Sequence, residues 1–339
     1  MQDGSAKETP PASGRVVVKV PASTANLGPG FDSLGMALSL FSWVSMAPAV
    51  ETKIALVGDH LEGVALDKTN LVYEVAQSVF RRAGVELPEL EIGIRSDIPL
   101  TRGLGSSASA IVGALVAANA LIGDVLPTDE LFQMATELEK HPDNVGASLF
   151  GGIIVSAWDG ERAEYVRLEP PQGMEVLVAI PEFELSTKKA RNVLPEQVLM
   201  KDAVFNVTHS SLVTAALAAG RLDLLGRAMR DRLHQPYRAA LIPGMETILR
   251  EAPERGAYAA VLSGAGPTLL LLAGPEQMKS GALEAYVKEA MAAEGIRVST
   301  RWLKPCLHGP QVRYVGEGDP EYRLAPHHEL LSEKAEVNV

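Results

Sequence analysis

The alternation of apolar and polar residues predicts strands and helices in both halves of the chain. Short runs rich in Val, Ile and Leu have the length of strands, and longer segments with apolar residues at helical spacing have the length of helices. The predicted strands cover 15–21, 34–47, 90–96, 151–157, 174–180, 261–262, 269–272 and 297–304. The predicted helices cover 70–83, 107–122, 129–140, 187–194, 204–220 and 223–233. This mixture predicts an α+β fold.

The pattern changes after two adjacent prolines, Pro170 and Pro171, which we take as a domain boundary. Both ends of the chain are polar and lack a periodic apolar pattern. The sequence therefore predicts a flexible tail over 1–14, an N-terminal domain over 15–170, a C-terminal domain over 171–312 and a polar tail over 313–339.

Composition narrows the classes of function. The formal net charge of −11 argues against a nucleic-acid partner, which usually needs a basic face. The single cysteine, Cys306, cannot form an intramolecular disulfide, which is typical of a reducing compartment. The sequence shows neither a secretory signal nor an uninterrupted apolar stretch of membrane-spanning length. These features predict a cytoplasmic protein with no membrane partner.

The strongest chemical signal is a glycine-containing segment, 99–109, between a predicted strand and a predicted helix. Glycines allow the backbone to approach a phosphate, and the N-terminus of the following helix adds a positive partial charge. The lysine of a Walker A loop is absent, and a plain strand–helix turn is the alternative interpretation. The candidate nucleotide-binding residues here are Pro99, Leu100, Thr101, Arg102, Gly103, Leu104, Gly105, Ser106, Ser107, Ala108 and Ser109.

Two further glycine-containing motifs are ambiguous when each is taken alone. In 21–32, Asn26 and Asp32 can bind an amino or hydroxyl group, but both residue types are also common in Gly-Pro turns. In 262–268, the glycines could pack against a loop or a ligand, but a tight turn between two strands is the commoner case.

Taken together, the motifs resemble one family. The stretches VPASTANLGPGFDSLGMAL, TNLVYEVA, IPLTRGLGSSASAIVGAL, EKHPDNVGASLFGG, LSTKKARNVLP, HQPYRAALIPG and LSGAGPTLLLL occur in that order between about residues 15 and 305. They resemble the galactokinase, homoserine kinase, mevalonate kinase and phosphomevalonate kinase (GHMP) superfamily. Within it, NLGPGFD, HPDNV and STKKAR resemble the bacterial homoserine kinases.

The resemblance implies a two-domain fold, with an N-terminal domain like domain 2 of ribosomal protein S5 and a ferredoxin-like C-terminal domain. The active site would lie between the two domains. The implied reaction transfers the γ-phosphoryl group of ATP, with Mg²⁺, to the side-chain hydroxyl of L-homoserine, as a step in threonine biosynthesis. A homodimer is common in this family and is expected here.

The resemblance also implies roles for residues that bind ATP and metal. Asn70 would lie near the adenine, although a helix-start residue is an equal alternative. Ser107 and Glu139 would bind Mg²⁺, with Glu137 as the second choice for the carboxylate. The segment departs from the family pattern at Lys140, where a glycine is expected.

For the acceptor, the resemblance implies that Arg191 and Arg238 bind the carboxylate, because guanidinium groups bind carboxylates in a fork. Acidic side chains can bind the ammonium group of the acceptor. The candidate substrate-binding residues are Asn26, Asp32, His141, Asp143, Arg191 and Arg238.

Other members of the superfamily use an aspartate as general base where this sequence has Asn144, whose amide cannot accept a proton at neutral pH. We therefore expect catalysis by positioning and charge neutralisation, with Asp143, Asn144 and Thr187 as the catalytic residues. Two alternatives stay open: a related kinase for another small alcohol, and a ligand sensor on the same fold.

Overall fold

A computed structural model describes residues 14–58, 61–86 and 89–316. The larger of its two sheets has seven strands, with the order β11-β1-β2-β4-β3 and with β5 pairing to both β2 and β6. Within the described residues, only β3 and β4 pair in parallel. The strands are β1 Gly14–Ala25, β2 Leu34–Pro48, β3 Lys53–Val57, β4 Leu90–Ser96, β5 Ile153–Trp158, β6 Ala163–Leu168 and β11 Gln311–Gly316.

The smaller sheet is antiparallel and has the order β10-β7-β9-β8. Its strands are β7 Glu175–Pro181, β8 Ala259–Leu262, β9 Leu269–Ala273 and β10 Val298–Leu303. The chain passes from the larger sheet to the smaller one between β6 and β7, in the interval that contains the two prolines. The α+β prediction is confirmed.

The helices are α1 Leu71–Ala83, α2 Ser106–Leu121, α3 Thr128–Glu139, α4 Pro142–Phe150, α5 Thr187–Asn192, α6 Met200–Ala218, α7 Leu225–Ala228, α8 Gln235–Arg238, α9 Met245–Glu251, α10 Pro275–Ser280 and α11 Ala282–Ala293. Short 3-10 turns cover Leu222–Leu224, Ala239–Leu241 and Ala252–Arg255. No helix in the described ranges is long and apolar enough to cross a membrane.

Three large apolar clusters hold these layers together. One packs the larger sheet against α1 to α4 and includes Val18, Val44 and Phe80. Another joins the two halves, because Leu34 and Leu38 of the larger sheet lie in the same cluster as strands β7 and β9 of the smaller one. A third covers the other face of the smaller sheet. The continuous core between the halves fixes the side chains that face each other across the cleft.

Some elements differ from the sequence-based predictions. Strand β1 continues to Ala25, beyond the predicted end at Pro21, because a register shift between Pro21 and Ala22 lets the strand pass the proline. The predicted helix 223–233 is a 3-10 turn followed by the short α7. Helix α4 was not predicted at all, and its proline occupies the first turn, where no N–H is needed.

The end of the described chain also differs from the prediction of a tail over 313–339. Residues 311–316 form β11, which pairs antiparallel with β1 from Gly14 to Lys19. The larger sheet therefore contains the first and the last described segments of the chain. The remainder of the two predicted tails, 1–13 and 317–339, lies outside the described residues.

Candidate active site

A cavity of about 190 Å³ lies between the two halves. It brings together residues from every segment that the sequence analysis singled out except the one around Asn70. The predicted site residues that line it are Asn26, Asp32, Thr101, Gly103, Gly105, Ser106, Ser107, Ala108, Glu139, His141, Asp143, Asn144, Thr187, Arg191 and Arg238. Ala25, Leu185, Ser186, Gly264, Ala265 and Gly266 complete the lining.

The glycine-containing segment forms the N-terminal approach to α2. Gly105 precedes the helix with a left-handed backbone (φ +69°), and no side chain caps the first turn, which carries no acidic residue. Uncapped N–H groups at the start of a helix form an anion site. A Cβ on Gly103 would lie 2.4 Å from the Ser263 carbonyl oxygen, so the close packing requires glycine there.

The third glycine motif supports this loop from the other half of the chain. The Ser263 hydroxyl donates to the Gly103 carbonyl oxygen at 2.6 Å, and the Gly264 N–H donates to the Ala25 carbonyl at 3.1 Å. Gly264, Ala265 and Gly266 also line the cavity. The motif is thus a turn that also builds the site, which combines the two interpretations left open by the sequence.

Several predicted nucleotide-binding residues hold the loop instead of lining the cavity. Leu104 is buried in the core between the halves, and the Ser109 hydroxyl donates to the Ser106 carbonyl. Arg102 donates from Nη1 to the Leu100 carbonyl at 3.3 Å. Pro99 likewise does not line the cavity.

Asn70 is outside the cavity, and both ends of its side-chain amide are engaged. Its Oδ1 accepts from the Val72 N–H at 2.8 Å, which caps α1, and its Nδ2 donates to the Ala65 carbonyl at 2.6 Å. The helix-start interpretation therefore describes what this side chain does here, and an adenine contact stays a prediction.

Glu139, at the end of α3, has the properties of a cation ligand. It lines the cavity, and its Oε1 is buried with no hydrogen-bond partner in the described part of the chain. A buried carboxylate oxygen without a donor is costly unless a cation binds it. Glu137 does not line this cavity but a separate surface depression with Arg81 and Lys140. The geometry favours Glu139 over Glu137.

Two side chains in the cavity lining, Glu139 and Ser107, could serve as ligands of a Mg²⁺ ion. No group of three or more His, Cys, Asp or Glu side chains that could hold a metal occurs in 14–58, 61–86 and 89–316. Mg²⁺ usually takes one or two carboxylates and completes its shell with water and substrate phosphates. One carboxylate, Glu139, and the exposed hydroxyl of Ser107 match that donor set.

His141 lies between two carboxylates. Its Nδ1 is 2.9 Å from Asp143 Oδ1, and its Nε2 is 3.7 Å from Glu139 Oε2. Burial alone would lower the pKa of His141, but the hydrogen bond and charge of Asp143, with the charges of Glu139 and Asp32, raise it above its ordinary value. His141 therefore links the candidate metal ligand Glu139 to Asp143 in α4.

Asn144 is oriented by a chain of hydroxyl groups. The Ser148 hydroxyl donates to Ser23 Oγ at 3.2 Å, and the Ser23 hydroxyl donates to Asn144 Oδ1 at 3.0 Å. The amide oxygen is thereby occupied, so Asn144 offers its NH₂ group to a ligand. Sequence reasoning missed Ser23, which sits in a buried strand; no local pattern marks it.

Two predicted substrate-binding residues, Asp32 and Arg191, bind each other across the cleft. Arg191 Nη1 donates to Asp32 Oδ2 at 3.0 Å, and Nη2 donates to Oδ1 at 2.7 Å. Burial would lower the pKa of Arg191, but the hydrogen-bonded Asp32 carboxylate raises it. Asn26 supports Asp32, since its Oδ1 accepts from the Asp32 N–H at 3.0 Å while its Nδ2 donates to the Gly264 carbonyl at 2.9 Å.

Arg238 is almost fully buried, with 1% of its surface exposed, yet it reaches the cavity. Its Nε donates to the Ala190 carbonyl at 3.1 Å, and its Nη1 donates to the Gly264 carbonyl at 3.1 Å and to His234 Nδ1 at 3.0 Å. Burial, with the nearby charge of Arg191, lowers its pKa to about 10. Arg238 therefore stays charged at neutral pH.

Comparisons with known proteins show the family of this chain. The family model for the GHMP kinases N terminal domain matches residues 70–152, and the model for the GHMP kinases C terminal domain matches 213–293. A homoserine kinase of Moorella thermoacetica is 45% identical over 296 residues, which are 87% of this chain and 99% of that protein. The chain belongs to the GHMP kinase family.

Other homoserine kinases are similar to this chain in sequence or structure over comparable lengths. A homoserine kinase of Carboxydothermus hydrogenoformans is 44% identical over 307 residues, which are 90% of this chain and 99% of that protein. The crystal structure of homoserine kinase from Cytophaga hutchinsonii matches with a TM-score of 0.80 at 27% identity, over 92% of this chain and all of that one. The GHMP kinase fold expected from the sequence is confirmed.

Proposed function

We propose that this GHMP kinase is a homoserine kinase, which transfers the γ-phosphoryl group of ATP to the side-chain hydroxyl of L-homoserine. The observation that carries the proposal is one cavity in which an uncapped helix start faces two arginines and two aspartates. The first feature suits a polyphosphate, and the second suits an amino acid that carries both an ammonium and a carboxylate.

On this proposal, the backbone N–H groups at the start of α2 bind the phosphates of ATP. Ser107 and Glu139 would hold Mg²⁺, which neutralises charge on the transferring phosphoryl group when bound. The unpartnered Oε1 of Glu139 supports this assignment. His141 lies between Glu139 and Asp143, so its protonated ring would offset part of the negative charge of these two carboxylates.

The acceptor enters by an exchange of ion pairs. The carboxylate of homoserine binds Arg238 and displaces Asp32 as the partner of Arg191. The ammonium group of homoserine then binds the freed Asp32 together with Asp143. Because one anion and one cation arrive together, no charge is left unpaired in the cleft. An acceptor with a carboxylate but no ammonium, such as mevalonate, would leave Asp32 unpaired, and this cost favours an amino acid over mevalonate.

Proton transfer needs no side-chain base in this proposal. Asn144 cannot accept a proton at neutral pH, and its oxygen is occupied by Ser23. The hydroxyl proton leaves to a phosphate oxygen or to water, while Asn144 and Thr187 donate hydrogen bonds near the transferred group. Catalysis then rests on alignment of the reactants and neutralisation of charge.

We also assign this activity to threonine biosynthesis in the cytoplasm, with Mg²⁺ as the cofactor and a homodimer as the working form. The domain boundary at 170/171 belongs to the same proposal, and the change of sheet between β6 and β7 supports it.

A coupled assay of ADP release tests the proposed function. The purified protein is offered L-homoserine, mevalonate and galactose with and without Mg²⁺. The expected result is Mg²⁺-dependent turnover of L-homoserine alone. Turnover of only an alcohol that lacks the amino group would overturn the substrate, and ATP binding without turnover would indicate a sensor.

A further inference from the structure

Arg238 is held by neutral acceptors only. Two carbonyl oxygens and one imidazole nitrogen accept from its Nε and Nη1. No carboxylate in the described ranges lies within salt-bridge distance of its guanidinium, unlike that of Arg191, which pairs with Asp32. A guanidinium group has five N–H donors, so these contacts leave the two donors of Nη2 for a ligand.

The imidazole acceptor belongs to His234, which is fully buried. Its Nε2 lies 2.8 Å from the Gly28 carbonyl oxygen and 3.6 Å from Asp231 Oδ2. Both neighbours are acceptors, so the ring proton resides on Nε2 and the Nδ1 lone pair faces Arg238. Burial, together with the charge of Arg238, lowers the pKa of His234, which keeps this ring neutral.

The backbone and ring of His234 are fixed independently of Arg238. The Asp231 carboxylate accepts from the N–H groups of Leu233, His234 and Gln235 at 2.9, 3.0 and 2.6 Å. The His234 ring stacks on Phe31, with 5.2 Å between the ring centroids. His234 therefore stands as a rigid acceptor beside the flexible end of a long side chain.

We propose that His234 is a positioning residue that holds the Arg238 guanidinium in the orientation that binds the acceptor's carboxylate. A neutral acceptor serves this purpose better than a carboxylate, because it directs the N–H groups without cancelling the charge that the ligand needs. The inference rests on the proposed function, since it requires an acceptor with a carboxylate.

Two amide variants separate the two bonds of the ring. In His234→Asn, the amide oxygen stands where Nδ1 was and keeps the bond to Arg238. In His234→Gln, the amide nitrogen stands near the former Nε2 and keeps the bond to Gly28 but not that to Arg238. We expect His234→Gln to raise the KM for homoserine about tenfold with kcat little changed, and His234→Asn to stay within about threefold of the wild type. The KM for ATP should move in neither.

An acceptor without a carboxylate supplies the control. With 3-aminopropan-1-ol, the two variants should have the same kcat/KM, because the group that Arg238 binds is absent. Equal increases in the KM for homoserine in both variants, or an equal rise in the KM for ATP, would show a merely structural role and overturn the proposal. If the wild type turns over no homoserine, the proposed function itself fails, which is a different outcome.

The wild-type protein offers a test that does not depend on how the variants fold. The nitrogen-15 signals of a histidine ring report which nitrogen carries the proton. We expect His234 to show the Nε2–H form, and its Nδ1 signal to shift when homoserine is added but not when ADP alone is added. A proton on Nδ1, or no response to homoserine, would contradict the proposal.

Discussion

Replacing Gly105 by alanine tests whether the glycine-containing segment 99–109 and Asn144 are structurally coupled. A Cβ on Gly105 would lie 2.1 Å from Ser23 Oγ and 3.1 Å from both the backbone N and O of Ser23. The Ser23 hydroxyl donates to Asn144 Oδ1, so a displaced Ser23 also displaces the Asn144 amide in the cavity. Gly105→Ala should therefore disturb both ends of the cavity.

The expected cost has two parts. A left-handed backbone costs a non-glycine residue about 1–2 kcal/mol, and forcing an extra methyl group into a packed site costs about 1–3 kcal/mol. Gly105→Ala should thus lower the free energy of unfolding by about 2–5 kcal/mol. A misplacement of about 1 Å in an active site can cost about a hundredfold in rate, so kcat/KM should fall by about that factor.

Gly84 provides a matched control. It has nearly the same backbone conformation (φ +67° against +69°), but a Cβ there would meet nothing within 4 Å. Gly84→Ala should lose only the backbone part, about 1–2 kcal/mol, with unchanged kinetics. Denaturant unfolding and the coupled kinase assay measure both effects. Gly105→Ala with the stability and rate of Gly84→Ala would refute the reasoning.

Coupling to Ser23 can be isolated in a double variant. Ser23→Ala removes the oxygen atom that the new methyl group would meet. The combined Ser23→Ala/Gly105→Ala variant should therefore lose less stability than the sum of the two single changes. Strict additivity would mean that the contact with Ser23 does not carry the cost.

The remaining predictions concern charge. Arg238→Ala should raise the KM for homoserine by about tenfold or more, because a charged hydrogen bond is lost, and an unchanged KM would contradict its role. Glu139→Gln should raise the Mg²⁺ concentration for half-maximal activity by about tenfold while Glu137→Gln leaves it unchanged; equal effects would refute the ligand assignment. The pKa of His141 is raised in the folded state, so its stabilisation is present below the ordinary pKa and lost as pH rises through the folded pKa. His141→Gln should therefore lose more unfolding free energy at about pH 5.5 than at about pH 9, and an equal loss at both pH values would contradict this role of the His141 ion pairs.

A one-sided apolar pattern made helix α1 easy to predict from the sequence. Helix α1 has buried residues on one face, a capping Asn70 and a left-handed Gly84 at its end, and the prediction of 70–83 agrees closely. Helix α4 has only nine residues, and seven of them are buried, so it lacks the polar face that makes a helix recognisable. Strand β11, QVRYVG, has one fully buried residue, Val315, and is too short to show a clear apolar pattern, so its pairing with β1 defines it.

The site divides in the same way. The glycine-containing segment 99–109 could be recognised because its glycines, its serines and its flanking strand and helix are contiguous in the sequence. Asp32 and Arg191 are 159 positions apart, and no local rule predicts that they pair; only the resemblance to a family brought both to one pocket. Even the resemblance did not indicate that the side-chain amides of Asn26 and Asn70 would each bond to backbone groups through both their oxygen and their nitrogen.

The pairing of β11 with β1 has a consequence for folding during translation. During synthesis, β1 leaves the ribosome about 300 residues before β11, the strand that covers its outer edge. Until then, β1 exposes a row of open backbone donors and acceptors, which is where another chain could add. A fragment that stops at the diproline would keep that edge open permanently, and so would a chain that ends before Gln311.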